Sequence, residues 1–191
     1  MSSRLANPAL SSILGVQSTD RGDGEDRLET EVVAFFDRFR VPLLRYLLGF
    51  GLAVPDGEEV LQEVFLSLFQ HLRRGKPREN LPGWLFRVAH NLALKKCIQT
   101  RRDLGARVET GIEDVALDPS PNPEDQLVTT ETRQRLLAVV RALPEQDRRC
   151  LVLRAEGLRY RELARILGMS LGAVSLSLAR SLGRIARAAE R

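Results

Sequence analysis

Aromatic residues, cysteine and lysine are scarce in this sequence. The shortage of the first two argues against certain fold classes and site types. Aromatic side chains make up 5% of the 191 residues, which argues against a large β-sandwich and favours helices. The two cysteines, Cys97 and Cys150, form no C-x-x-C pair, which excludes a disulfide framework and the usual zinc spacings and fits a reducing cytosol. No apolar run approaches the roughly 18 residues of a membrane span, and no signal-peptide pattern is present. We therefore expect a cytoplasmic protein without membrane insertion.

The charged residues are distributed in blocks. Lysine occurs at 3 positions against 26 arginines, and the net charge of the chain is +4. The net charge is −2 over residues 1–30, +4 over residues 31–103, −5 over residues 104–126 and +7 over residues 127–191. Two basic blocks around an acidic one are typical of two nucleic-acid-facing modules joined by an acidic linker. The alternative is that these are the solvated faces of a protein from an arginine-rich proteome.

Apolar residues recur at three- and four-residue steps, which predicts an all-α fold of two small helical domains joined by a flexible acidic linker. Residues 1–30, rich in Ser, Gly and Asp, are expected to be a disordered leader. Residues 31–103 are expected to form the first domain, with Pro42 bending or dividing its first helix. Residues 104–126, with three prolines and six acids, are expected to be the linker, and residues 127–191 the second domain.

The second domain contains the pattern of a helix-turn-helix. The stretch "YRELARILG" is followed by "MSLGAVSLSLARSL". Gly168 is expected to end the first helix in a left-handed conformation, and Ser170 to cap the second helix. An apolar stripe on the second helix is expected to face the core: Leu171, Val174, Leu178, Leu182 and Ile185. The outward face then carries no charge between Met169 and Ala179.

Three stretches resemble the extracytoplasmic-function (ECF) group of bacterial RNA polymerase sigma factors. "DGEEVLQEVFLSLFQHL" resembles region 2.2 of that family, and "LPGWLFRVAHNLALKKCIQTRR" resembles regions 2.3 and 2.4. "EGLRYRELARILGMSLGAV", preceded by "ALPEQDRRCLVLR", resembles region 4. The resemblance implies a transcription initiation subunit that is not an enzyme and has no catalytic residue, cofactor or metal ion of its own. The implied partners are the RNA polymerase core (its largest catalytic subunit and its flap), promoter DNA and an anti-sigma factor.

The resemblance also implies three sets of contact residues. Contacts with the polymerase core are expected from region 2.2: Asp56, Glu59, Gln62, Glu63 and Phe65. Contacts with the −10 promoter element are expected from the following region: Trp84, Arg87, Asn91, Lys95, Lys96 and Arg101. Phe86 is a further stacking candidate, and the loop from Arg73 to Asn80 resembles the loop that captures a flipped −10 base. Contacts with the −35 element are expected from the helix-turn-helix: Arg159, Arg161, Ser170, Ala173, Ser175, Leu176 and Arg180.

The uncharged second helix of the helix-turn-helix leaves alternatives open. Ser175 and Ser177 stand where ECF proteins often have Lys or Arg, so we expect phosphate contacts and shape readout rather than strong base readout. Leu176 on the outward face is alternatively a protein contact. The whole chain is alternatively a stand-alone helix-turn-helix regulator, or an interaction protein that has lost promoter recognition. A metal site that uses His71 or His90 lacks a ligand spacing and is not favoured.

Overall fold

A computed structural model of the chain describes residues 23–103 and 123–190, and every regular element in these two ranges is an α-helix. The helices divide into two compact units. Unit 1 contains α1 (Asp23–Leu48), α2 (Val54–Arg73) and α3 (Leu81–Asp103). Unit 2 contains α4 (Pro123–Arg141), α5 (Glu145–Ala155), α6 (Tyr160–Leu167) and α7 (Leu171–Ala189). The predicted all-α fold class is confirmed.

In unit 1, α2 packs on both α1 and α3, and α1 also contacts α3. The core is formed by the apolar stripes that the three helices turn towards each other: Val32, Phe36, Leu43, Leu47, Val64, Phe65, Leu68, Leu85, Phe86 and Ala89. Gly57 permits a close approach of α1 to α2, because a Cβ atom there would lie 3.2 Å from the side chains of both Leu44 and Leu48. These contacts hold the outer faces of α2 and α3 in fixed positions.

Helix α1 begins at Asp23, eight residues before the predicted start of the first domain. The prediction of a disordered leader is therefore wrong for residues 23–30, whereas residues 1–22 lie outside the described part of the chain. The physical reason is Leu28, which is buried and stands one helical turn before the buried Val32. Acidic residues in the first turn also favour this start, because they interact well with the helix dipole. The helix continues without a break through Pro42 to Leu48, so Pro42 does not divide it.

In unit 2, α7 packs on α4, α5 and α6, and so forms the centre of the unit. The turn between α6 and α7 is as predicted. Gly168 is left-handed, with a φ of 64°, and the Oγ atom of Ser170 accepts a hydrogen bond of 3.1 Å from the backbone N–H of Ala173. A glycine at the first position and a small hydroxyl side chain at the second are what this tight turn requires.

The buried stripe of α7 is different from the predicted one. Leu171 and Leu182 are 50% and 54% exposed, whereas Ser177 and Ser181 are fully buried together with Val174 and Leu178. Hydrophobicity alone predicted the wrong stripe, because small serine side chains occupy two of the buried positions of α7 while the larger Leu171 and Leu182 remain outside. The exposed face of α7 is therefore more apolar than the sequence indicated.

Part of the predicted linker, residues 104–122, lies outside the described residues, and its last residues, 123–126, belong to α4. Among the described residues, no individual helix combines the length and the hydropathy required to cross a bilayer. The pair α6 and α7 meets those two criteria when taken together, with a bend of 103° between the two helices.

Candidate nucleic-acid interface

The exposed face of α3 is basic. Arg87, Asn91 and Lys95 follow each other at intervals of one helical turn and are all exposed, as is Arg101 further along. The opposite side of α3 is buried against α1 and α2. The structure thus places these four predicted DNA-contact residues on the accessible side of one helix.

Trp84 lies at the start of this face and is half-buried. Its ring lies against the ring of His71, at a centroid distance of 4.6 Å and an angle of 42°. The Nε2 atom of His71 is 2.9 Å from the carbonyl oxygen of Pro77, so that one imidazole joins the end of α2, the following loop and Trp84. This role of His71 was missed, and no spacing in the sequence could have indicated it.

The loop between α2 and α3 ends in a constrained residue. Asn80 has a φ of 55°, in the left-handed region that Asn tolerates better than most residues. Its Oδ1 atom accepts a hydrogen bond of 3.3 Å from the N–H of Gly83 and so caps α3. At the other end of the loop, Gly75 has a φ of 61°. The loop that was predicted to capture a base is therefore fixed at both ends.

Phe86 is not a stacking group for DNA. Its side chain is fully buried, and its ring meets the ring of Tyr46 edge to face at 5.6 Å. His90 is also buried and lies 2.8 Å, through Nδ1, from the Tyr46 hydroxyl. Each of the two stands one position before an exposed residue, Arg87 or Asn91, and faces another side because a helix turns about 100° per residue. They belong to the core of unit 1.

Lys96 is on a different side of α3 from Lys95 and pairs with α2, and its predicted contact with DNA stays a prediction. Its Nζ atom lies 2.5 Å from a carboxylate oxygen of Glu59 and 3.1 Å from one of Asp56. The hydrogen bonds that the Lys96 ammonium donates to Glu59 and, with a smaller effect, to Asp56 raise its pKa above the ordinary value. Lys96 therefore bridges α3 to α2 and joins residues from two separately predicted sites.

The acidic face of α2 is accessible. Gln62 and Glu63 are exposed, and the Glu59 side chain is 58% exposed despite its ion pair. Phe65, by contrast, cannot contact a partner because it is fully buried, with its ring 4.9 Å from that of Phe36. Leu66, which is 39% exposed, is an accessible apolar residue of α2 close to Gln62 and Glu63, and it was not predicted.

In unit 2, most of the predicted −35 residues lie at the surface. Arg159, Arg161 and Ser175 are exposed, Leu176 is 56% exposed and Ala173 is half-buried. The Ser170 side chain is exposed too, but its oxygen is occupied by the cap described above.

The Arg180 side chain is 54% exposed and pairs with a residue of α5, and its predicted contact with DNA stays a prediction. Its Nη2 atom lies 3.2 and 3.4 Å from the two carboxylate oxygens of Asp147, a residue that is almost fully buried in the first turn of α5. The two residues are 33 positions apart, and nothing in the sequence pairs them. Arg180 therefore holds α7 to α5.

Ser177 also faces inwards, next to Cys150 on α5. The Cys150 sulfur lies 4.0 Å from the carbonyl oxygen of Val174. Burial raises the pKa of the Cys150 thiol, and the Ser177 hydroxyl partly opposes that change. Of the two serines that replace the cations usual in the family, only Ser175 can reach a ligand.

Comparison with known protein families agrees with this geometry. Residues 35–103 match the family "Sigma-70 region 2", and residues 133–185 match "Sigma-70, region 4". The ECF RNA polymerase sigma-E factor of Escherichia coli is 32% identical over 130 residues, which are 63% of this chain and 68% of that protein. A probable RNA polymerase sigma factor, RfaY of Xanthomonas campestris, is 34% identical over 131 residues, 67% of this chain. The matched region spans only 32% of RfaY and 46% of the ECF factor SigE of Mycolicibacterium smegmatis.

Two solved structures share the fold. The sigma factor RpoE of Bartonella quintana, crystallised with the anti-sigma factor NepR, superposes with a TM-score of 0.58 at 19% identity. That match covers 82% of this chain and 97% of RpoE. CnrH, in complex with the cytosolic domain of CnrY, gives a TM-score of 0.50 at 20% identity and covers 86% of this chain and 96% of CnrH. With two sigma-70 regions in order and a sigma-E relative covered over two thirds of its length, the chain belongs to the ECF group of RNA polymerase sigma factors.

Proposed function

We propose that this chain is a promoter-specificity subunit that binds the RNA polymerase core and directs it to promoters. The observation that carries the proposal is that unit 1 has two exposed helix faces of different charge. The exposed α2 face presents Gln62 and Glu63, and the exposed α3 face presents Arg87, Asn91 and Lys95. An acidic face suits a basic protein partner, and a basic face suits DNA phosphates. The chain has no catalytic role of its own in this proposal, and it acts in the cytoplasm with the polymerase.

Residues 31–103, extended at the start to Asp23, would bind the core and the −10 element. Opening a promoter exposes unstacked bases, which aromatic side chains bind well and basic groups hold by their phosphates. Trp84 is suited to this role because His71 positions one side of its ring while the ring remains half-exposed. The segment 104–126 would serve as an acidic linker to the −35 module, residues 127–191.

The −35 module would bind DNA mainly by its backbone. The start of α7 offers free N–H groups to a phosphate, and Arg159 and Arg161 supply positive charge close by. Ser175 and Ala173 cannot form the bidentate contacts that discriminate strongly between bases. The stand-alone regulator is the weaker alternative, since it leaves the faces of α2 and α3 without a role.

An anti-sigma factor is a further proposed partner. RpoE of Bartonella quintana was crystallised with the anti-sigma factor NepR, and the CnrH structure contains the cytosolic domain of CnrY. Here Leu171, Leu176 and Leu182 are each at least half exposed on the outer face of α7. Photo-crosslinking from position 176 in cells would capture a protein if this face binds a regulator. Capture of DNA alone would contradict that assignment.

Run-off transcription is the direct test of the main proposal. Core polymerase and the purified chain are combined on DNA from upstream of the gene that encodes the chain. We expect a transcript that depends on the chain and that disappears with Trp84→Ala plus Arg87→Ala. Arg27→Ala, an exposed change on α1, is the control for loss of charge.

Core binding is scored in the same reactions. Glu63→Arg is expected to weaken it, whereas the matched exposed reversal Asp37→Arg on α1 should leave it unchanged. Duplex binding without the core, together with no detectable core binding, would overturn the proposal in favour of the stand-alone regulator.

A further inference from the structure

Two large apolar side chains remain exposed on the basic face of α3. Leu94 is 38% exposed and Ile98 is 50% exposed, although Leu85, Ala89 and Ala93 of the same helix are fully buried. The two residues are one helical turn apart and so form a single small apolar surface. The fold of unit 1 does not cover this surface, and hiding it from water would stabilise any complex that did.

The surroundings of this Leu94–Ile98 pair favour a polyanion. From Leu81 to Arg102, α3 contains no acidic residue. The exposed residues around the pair include four cations: Arg87, Lys95, Arg101 and Arg102. The carboxylates of Asp56 and Glu59 are held by Lys96, on another side of the helix. An apolar pair surrounded by cations is complementary to a ligand in which an apolar group is flanked by negative charges.

Duplex DNA has this combination in one place. Its phosphates are anionic, and the C5-methyl group of thymine is the one apolar group on the base edges of the major groove. One helical turn of α3 advances by about 5–6 Å, and successive bases of a strand are separated by about 3.4 Å. Residues four positions apart can therefore reach base pairs one or two steps apart.

We propose that Leu94 and Ile98 contact thymine methyl groups in duplex promoter DNA beside the −10 element. They would be specificity-determining residues that read a methyl group while their basic neighbours hold the phosphates. This inference rests on the proposed promoter-binding function, and it adds a base preference that the cations cannot supply.

Replacing thymine by deoxyuridine removes the methyl group and leaves the hydrogen-bonding edge intact. Thymines of the promoter fragment used above are replaced one at a time, and equilibrium binding of the core–chain complex is measured. We expect one or two positions in the duplex beside the −10 element at which affinity falls about three- to fivefold, as for loss of one buried methyl group.

The matched variant is Leu94→Ala plus Ile98→Ala, which keeps good helix-forming residues at both positions. It should bind the thymine promoter more weakly than the wild type and should no longer distinguish thymine from deoxyuridine at those positions. Val41→Ala, at an exposed apolar residue of α1, should keep the wild-type discrimination. Circular dichroism and core binding verify that each variant is folded and assembled.

Each other outcome overturns the inference in a recognisable way. If the complex binds the promoter but no deoxyuridine position matters, or if the double variant discriminates as the wild type does, the methyl contact is refuted and the proposed function stands. If the double variant loses core binding instead, the pair is a polymerase contact. If the chain binds no core at all, the proposed function and this inference fail together.

Discussion

The outer faces of α3 and α7 differ in charge, although both belong to units that we propose to contact DNA. The α3 face carries Arg87, Lys95 and Arg101, whereas the α7 face carries no charge from Leu171 to Ala179. In unit 1 the helix that faces DNA can supply its own phosphate attraction. In unit 2 that attraction has to come from neighbours such as Arg159 and Arg161, while the helix itself presents exposed leucines. In our proposal the two units therefore attract DNA phosphates differently, one with cations on the DNA-facing helix itself and the other with cations on neighbouring residues.

The largest expected effect comes from the buried side of α3. Phe86→Ala should lower the free energy of unfolding of unit 1 by about 3–5 kcal/mol, because it removes a fully buried ring from the core. Trp84→Ala should cost clearly less, since Trp84 is only half-buried. Urea denaturation followed by circular dichroism measures both. Equal losses of stability would refute our separation of core and surface aromatics on this helix.

The charge contrast itself is tested by the salt dependence of DNA binding. Arg87→Ala plus Lys95→Ala should lower promoter affinity of the core complex about tenfold or more and reduce the slope of log K against log salt by about 2. Conversely, Ser175→Arg on α7 should increase that slope by about 1. Fluorescence anisotropy at several salt concentrations gives the slopes. An unchanged slope in the α3 variant would show that its cations do not contact phosphates.

Arg180 is the cation nearest to the uncharged face of α7. Its replacement by alanine tests whether it contacts DNA or stabilises the fold. Arg180→Ala should lower the stability of unit 2 by about 1–2 kcal/mol, because it leaves the buried Asp147 carboxylate without its ion pair. This figure allows for solvent screening of the half-exposed guanidinium. Thermal unfolding measures the loss, and Arg165→Ala, at an exposed position of α6, is the control. Full stability with weakened DNA binding would favour the DNA contact instead.

A smaller effect is expected from the buried side of α7. The Ser181 hydroxyl is buried and has no hydrogen-bond partner among the described residues. Ser181→Ala should therefore leave unit 2 equally stable or stabilise it by up to about 1 kcal/mol, since Ala is also the better helix former. Ser175→Ala, on the exposed side, serves as the reference for helix propensity alone. A clear loss of stability at Ser181 only would reveal a hydrogen bond that this position needs.

The smallest effect concerns Lys96 and its dependence on pH. Because Asp56 and Glu59 raise the pKa of this ammonium in the folded state, its stabilising contribution is complete below the unfolded value of 10.5. The contribution is lost as pH rises through the higher folded value. Above pH 10.5 the stability of the wild type should therefore approach that of Lys96→Met, as measured by chemical denaturation at a series of pH values. A constant difference across this range would contradict the ion bridge.

The features that the sequence predicted correctly are local ones. The turn at Gly168, the cap at Ser170 and the helical periodicity depend on residues that are close in the chain, and the structure has them where they were expected. Apart from the early start of α1, the differences concern which side of a helix meets a neighbour. Phe65 and Phe86 are core residues, Lys96 and Arg180 are bridges between helices, and Ser177 is buried. Each of these assignments depends on a second helix tens of residues away, which no local pattern contains.

The central position of α7 in unit 2 has a consequence for synthesis on the ribosome. Unit 1 is built mainly from helices that pack on their chain neighbours, so its core can form as soon as α3 has emerged. In unit 1 the first two helices already pack on each other before α3 is made, whereas in unit 2 α4, α5 and α6 all pack on α7, the helix that is made last. A chain cut short before Leu171 would keep the three helices of unit 1 and lack the helix on which the rest of unit 2 packs, and unit 2 would then be open to proteolysis.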